Sequence, residues 1–155
     1  MSAVAVQSSA ALTGRLTAIA REARTGRIVQ RIRTPNRIVT TGLNLMFDLL
    51  KEDTTIGINF FAVGTDATAA AAAQTALLAE VHRGNITQQT RGTAQLNVTY
   101  FLPTTAANGS SLVEAGLLTL SSGGTLFARA THTAIVKTAS LTVTYLWTLT
   151  LTTPP

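Results

Sequence analysis

The sequence predicts a mainly β protein: an antiparallel, jelly-roll-like β-sandwich with one short α-helix near residues 41–51 and an extended N-terminal arm. Residues 141–152 read LTVTYLWTLTLT, in which apolar residues alternate with threonine and Leu146 is the only break. This period of two is typical of a long strand with one buried face. Several other segments of about 8 to 12 residues are separated by Gly, Asn and Ser turns, as in sandwich proteins.

The chain divides into a predicted arm, residues 1–11, and one β-rich domain, residues 12–155. A basic hairpin over residues 12–34 opens this domain, and the main sandwich spans residues 41–152. A length of 155 residues is typical of a single domain with a sizeable core.

Within the hairpin, the turn sequence ARTG ends on Gly26, which is free to take a positive φ. The second strand places Ile28 and Ile32 on one face and arginines on the other, because side chains alternate along a strand. Pro35 then ends the pairing.

The predicted helix begins at Thr40 or Thr41, whose side chain would cap it, and runs to about Lys51. Its predicted buried stripe consists of Leu43, Met46, Phe47 and Leu50. We expect one helical turn around residues 76–81. The further predicted strands cover residues 58–63, 86–90, 94–102, 112–120 and 126–137.

Charge is sparse and unevenly distributed along the chain. Charged residues make up 12% of the sequence and hydrophobic residues 46%, with a mean hydropathy of +0.29. A typical soluble domain has about 25% charged residues. We therefore expect much of the surface to be covered by other protein, the alternative being a neutral Thr- and Ala-rich surface that stays in water.

The first forty residues hold seven arginines against the single carboxylate of Glu22. Arginine binds carboxylates and phosphates through a planar fork of donors. Three interpretations of these arginines stay open: docking onto an acidic protein surface, a solvated strand face, and nucleic-acid binding. The last is disfavoured because residues 1–40 contain no aromatic platform for bases. The candidate docking residues are Arg15, Arg21, Arg27, Arg31, Arg33 and Arg37.

Residues that carry catalysis or bind metals are scarce. The chain has no cysteine and two histidines, His82 and His132, neither of which lies in a metal-binding motif. No nucleophile elbow or phosphate-binding loop is present. We therefore predict no enzymatic activity and no cofactor or metal; a hydrolase acting on cell-wall sugars is the enzymatic alternative. No signal peptide or long apolar run predicts contact with a membrane.

Glu114 stands out because it lies in the apolar stretch LVEAGLL. A buried carboxylate needs a partner, and Arg129 or Lys137 on the following strands are the predicted ones. We expect a structural ion pair there rather than a catalytic acid. The aromatic residues are assigned to the core: Phe60, Phe61, Tyr100, Phe101, Phe127, Tyr145 and Trp147.

Six motifs occur in order along the chain: TGLNLMFDLL, FFAVGTDATA, LLAEVHR, LVEAGLL, GGTLFARA and the closing tryptophan-bearing strand. This order, which covers about residues 12–152, resembles a group of small virion structural proteins of tailed bacteriophages. Two positions depart from the group: Leu118 stands where phenylalanine is common, and Asp66 where glycine is common.

The resemblance implies a non-enzymatic β-rich module located in the virion and assembled in the bacterial cytoplasm. A capsid decoration (cement) protein bound to the major capsid protein is favoured, because the chain is a single module with a basic N-terminal section. A neck or tail adaptor, or a fibre-anchoring protein, is the structural alternative. We expect a homo-oligomer, and the usual symmetry of capsid sites makes a trimer the expected form.

Overall fold

The computed structural model describes residues 9–153, which contain ten strands and one helix. The elements follow one another along the chain as β1 Ala11–Glu22, β2 Ile28–Pro35, β3 Arg37–Ile38, α1 Thr40–Leu50, β4 Phe60–Gly64, β5 Glu80–Asn85, β6 Gln88–Gly92, β7 Gln95–Leu102, β8 Ser111–Leu118, β9 Leu126–Val136 and β10 Leu141–Thr152.

The strands form two five-stranded antiparallel sheets. The first sheet has the order β2-β1-β10-β7-β6 and the second the order β3-β9-β8-β4-β5. This arrangement confirms the predicted mainly β sandwich with one short helix. The predicted hairpin is an integral part of the first sheet, because β1 lies between β2 and β10. Of the predicted arm, residues 1–8 lie outside the described part of the chain, and Ala11 already belongs to β1.

Aromatic side chains from both sheets meet in the core. Phe61 of the second sheet lies with its ring centroid 4.8 Å from that of Tyr100 and 5.0 Å from that of Tyr145, both in the first sheet. Trp147 is fully buried beside them. Phe101 was expected in the core, but it lies on the outer side of β7 and is 46% exposed. Along β10, the aromatic side chains point into the core and the threonines point outward, as the alternation predicts.

Helix α1 spans the predicted residues but presents a different face to the core. Its buried residues are Gly42 and Leu45, and a Cβ at Gly42 would lie 2.1 Å from the Phe127 carbonyl oxygen. The bare backbone of Gly42 thus lets the helix approach β9 closely. The predicted stripe is wrong in this respect, since Leu43, Phe47 and Leu50 are exposed.

The start of α1 also differs from the prediction. Val39 occupies the N-cap position, and no side chain caps the helix. The Thr41 hydroxyl instead donates a hydrogen bond of 2.7 Å to the Leu126 carbonyl, which ties the helix to the second sheet. The helical turn expected around residues 76–81 is absent, because Glu80 begins strand β5.

Candidate docking surface

The outer side of the first sheet gathers several of the predicted docking arginines. On β1, Leu16, Ala18 and Ala20 are buried in the core, so the alternate residues Arg15 and Arg21 point to the other side. The antiparallel register sets further arginines beside them. Arg33 pairs with Thr17, and Arg31 pairs with Ile19. We call this outer side the basic sheet face; it comprises Arg15, Thr17, Ile19, Arg21, Arg31, Arg33, Phe101, Thr142, Thr144, Leu146 and Thr148.

Three arginines of this face have charges that no described residue compensates. The side chains of Arg15, Arg31 and Arg33 belong to exposed residues and make no hydrogen bond or ion pair within residues 9–153. Glu22 is the only carboxylate in the five strands of the sheet. A surface with several guanidinium groups and no acid attracts an anionic partner.

The other predicted docking arginines are placed differently. Arg27 forms an ion pair with Glu22, and its hydrogen bond is the main cause that lowers the pKa of the Glu22 carboxyl. Arg21 donates from Nη1 to the Gly26 carbonyl at 3.1 Å, which leaves part of its guanidinium free. Arg37 belongs to β3 of the second sheet and lies off the basic sheet face. The structure therefore brings together Arg15, Arg21, Arg31 and Arg33.

Two exposed apolar side chains lie on the same face. Leu146 is 39% exposed and sits opposite Thr17, and Phe101 sits opposite Thr144. Arginine and aromatic residues are enriched in protein interfaces relative to the rest of the surface. One sign of this patch is visible in the sequence, where Leu146 breaks the threonine alternation, whereas Phe101 is predicted to lie in the core.

The predicted ion pair of Glu114 and Arg129 is present on the opposite side of the molecule. The Arg129 Nε donates to Glu114 Oε2 at 2.8 Å, and both residues are fully buried. Residues 65–79, the covering loop, pass over this outer side of the second sheet. Glu114 accepts backbone hydrogen bonds from Ala79 at 2.7 Å and from Leu78 at 3.1 Å.

Arg129 completes the attachment of the covering loop. Its Nη1 donates to the Thr68 carbonyl at 2.7 Å, and its Nη2 donates to the Asp66 carbonyl at 3.2 Å. The Asp66 side chain is hydrogen-bonded by Thr68, which lowers the pKa of its carboxyl, and the charge of Arg129 acts in the same direction. Glu114 and Arg129 therefore act as a structural clamp between loop and sheet.

Lys137, the alternative partner predicted for Glu114, does not contact it. Its Nζ donates to Asn108 Oδ1 at 2.9 Å and to the Thr138 carbonyl at 3.0 Å. The residue is fully buried, and burial lowers the pKa of its amine. Lys137 thus holds the loop that precedes β8.

The two histidines lie on different strands of the second sheet, His82 on β5 and His132 on β9. His82 Nε2 is 2.8 Å from the Tyr100 hydroxyl, and burial lowers the pKa of His82 and raises that of Tyr100 to about 12. His132 Nδ1 is 2.8 Å from the Thr133 carbonyl oxygen. Across residues 9–153, no three His, Asp or Glu side chains are grouped so that they could hold a metal ion. No helix in this range is long and apolar enough to cross a membrane.

Comparison of this chain with protein-family models, with curated proteins and with solved structures finds no match. The basic sheet face is therefore interpreted from its own residues. It has four arginines and two exposed apolar side chains among the threonines, and the five strands of its sheet contain no carboxylate beyond Glu22.

Proposed function

We propose that this chain is a non-enzymatic structural protein of a bacteriophage virion, and that its basic sheet face docks onto an acidic protein surface. The observation that carries the docking part is the set of uncompensated guanidinium groups of Arg15, Arg31 and Arg33 around exposed apolar side chains. The virion part is supported by the ordered motifs along the chain. Within that role, capsid decoration on the major capsid protein is favoured.

The chemistry of the face favours a protein partner. Guanidinium groups form paired hydrogen bonds with carboxylates, and such pairs gain strength when the surrounding surface is desolvated. Phe101 and Leu146 supply apolar area that protein contact would remove from water. The outward threonines of β10 add hydroxyl groups, a group that both donates and accepts hydrogen bonds.

A charge-reversed variant tests the docking surface. The variant R15E/R31E/R33E is compared with the matched control R24E/K51E/R91E, which changes the net charge equally at exposed positions off the face. Both are mixed with phage heads that lack this protein, and binding is measured by co-sedimentation. We expect the control to bind like the wild type and the face variant to lose at least about tenfold in affinity, since close charge pairs contribute several kcal/mol.

Equal binding by the two variants would contradict the proposal. A parallel titration with a double-stranded DNA fragment separates the nucleic-acid alternative, which requires binding that weakens steeply with salt and is lost in the face variant. Electron microscopy of intact particles then gives the location. Many copies over the head support decoration, and a single ring at the portal or tail supports the adaptor alternative.

A further inference from the structure

An apolar groove of about 440 Å³ opens at the end of the sandwich where β1 begins. Its wall on the first sheet includes Leu12, Leu96 and Leu149, and its wall on α1 includes Leu45, Met46 and Leu49. The polar side chains that line it are the uncharged Gln89 and Gln95. The volume lies in the range of ordinary ligand-binding pockets, and the lining selects an uncharged apolar occupant.

Apolar side chains of the groove lining remain in contact with solvent. Leu151 is 43% exposed, and Leu49 of α1 is 37% exposed. Exposed apolar patches of this kind mark interaction sites, because leaving them in water has a free-energy cost.

We propose that residues 1–8 of a second copy of this chain occupy the groove. These residues read MSAVAVQS and contain no charged side chain. In an extended segment Val4 and Val6 fall on one side, which gives an apolar edge that matches the uncharged lining. Eight residues reach at most about 29 Å, which is sufficient to cross from one molecule into the next.

The position of β1 suits a second copy as the donor of this segment. Ala11 pairs with Thr152 at the end of the sheet, and Leu12 forms part of the groove wall. Because the groove and the start of β1 lie at the same end of the molecule, a second copy that faces this end brings its own residues 1–8 to the groove. The same contact would remove the exposed part of Leu151 from water.

Cysteine cross-linking tests the proposal cleanly because the chain has no cysteine of its own. Val4→Cys and Leu151→Cys are made in separate chains, mixed in equal amounts and oxidised. We expect a disulfide between the two chains. The control pairs V4C with R24C, which lies at the turn between β1 and β2, and we expect at least about tenfold less cross-link because disulfides require Cα atoms within about 7 Å.

Two results would overturn the proposal. One is a yield from V4C with L151C no higher than from the control; the other is closure within single chains of the V4C/L151C double variant while the mixed chains stay unlinked. In addition, V4D/V6D is expected to shift sedimentation toward the monomer, whereas S2D/S8D, which adds equal charge, is not; an equal effect of both would count against the groove. The inference does not rest on the virion role, and R15E/R31E/R33E should leave the cross-link intact.

Discussion

Arginine side chains on the outer sides of the two sheets lie in opposite environments, buried on one sheet and exposed on the other. On the second sheet Arg129 is fully buried, and Glu114 and the backbone of the covering loop bind its guanidinium. On the first sheet Arg31 and Arg33 stand in solvent with no partner among the described residues. Within residues 9–153, Arg15, Arg31 and Arg33 of that face stay exposed, although the two sheets have the same number of strands.

This difference assigns a structural role to Arg129 and supports the interaction role proposed for the exposed arginines. A buried arginine is retained only with compensating charge and hydrogen bonds, because an isolated buried charge has a large desolvation cost. An exposed arginine contributes little to the free energy of folding, and its guanidinium group remains free to bind a partner. The second sheet has its covering layer within the chain, and we infer that the first receives its own from another molecule.

The largest expected effect comes from removing the acid of the clamp. Glu114→Gln removes the buried carboxylate beside Arg129, leaves its charge with only the partly exposed Asp66 carboxylate at 3.7 Å, and weakens the hydrogen bonds to Leu78 and Ala79. We expect a loss of about 3–5 kcal/mol in the free energy of unfolding, measured by urea denaturation. The double variant E114Q/R129M removes the buried charge as well and should cost less than the sum of its single changes. A strictly additive result would mean that the two residues do not interact.

A somewhat smaller effect is expected from closing the space between sheet and loop. A Cβ at Gly64 would lie 2.4 Å from both the Ala79 carbonyl oxygen and Glu114 Oε1. Gly64→Ala should therefore displace the covering loop and lower stability by about 1–3 kcal/mol in the same assay. Gly57→Ala is the matched control, because a Cβ there meets no atom within 4 Å. Equal stability of the two variants would show that the covering loop does not pack closely against Gly64.

The contact between the two sheets should respond to pH. His132 of the second sheet lies with its ring 5.9 Å from that of Tyr145 in the first, and burial lowers the pKa of His132. The folded state then binds fewer protons than the unfolded state, so stability falls as pH drops through the ordinary histidine value of about 6.5. His132→Asn should reduce this slope between pH 7 and pH 5, measured by thermal unfolding. An unchanged slope would place the sensitivity elsewhere, with His82 the next group to test.

The smallest effect on stability is expected from the exposed arginines. Arg15, Arg31 and Arg33 form no ion pair with a described residue, so each change to glutamine should alter the free energy of unfolding by less than about 0.5 kcal/mol. The measurement is urea denaturation beside Arg129→Gln, which serves as the positive control. A large loss at Arg31 or Arg33 would mean that these side chains stabilise the sheet, which would remove the contrast between the two faces.

Local patterns predicted much of the fold. The alternation in residues 141–152 gave strand β10 with the bounds that the structure has, because one face is consistently apolar. The helix bounds were also close, but its buried face was not. The segment LNLMFDLL has apolar residues on more than one side, so periodicity alone does not select Leu45 over Phe47. That choice depends on the approach of Gly42 to Phe127, which is a tertiary contact.

The candidate site was also predicted only in part, where local sequence patterns carry the information. A carboxylate in an apolar strand predicted the pair with Arg129, since burial requires a partner. The covering loop was missed because its attachment depends on backbone donors far from Glu114 in sequence. Strand alternation predicted that Arg31 and Arg33 lie on the same side of β2. That Leu146 and Phe101 lie on the same face depends on the pairing of β1 with β10 and of β10 with β7, which local patterns do not reveal.

The pairing of β1 with β10 has a consequence for synthesis of the protein. These are the first and last strands of the fold, yet they are neighbours in the middle of the first sheet. On the ribosome, β1 emerges before β10 and pairs first with β2. The other hydrogen-bonding edge of β1 stays unpaired until β10, far along the chain, has been made. An unpaired strand edge can pair with other chains, so the arrival of β10 removes an aggregation-prone edge from the first sheet.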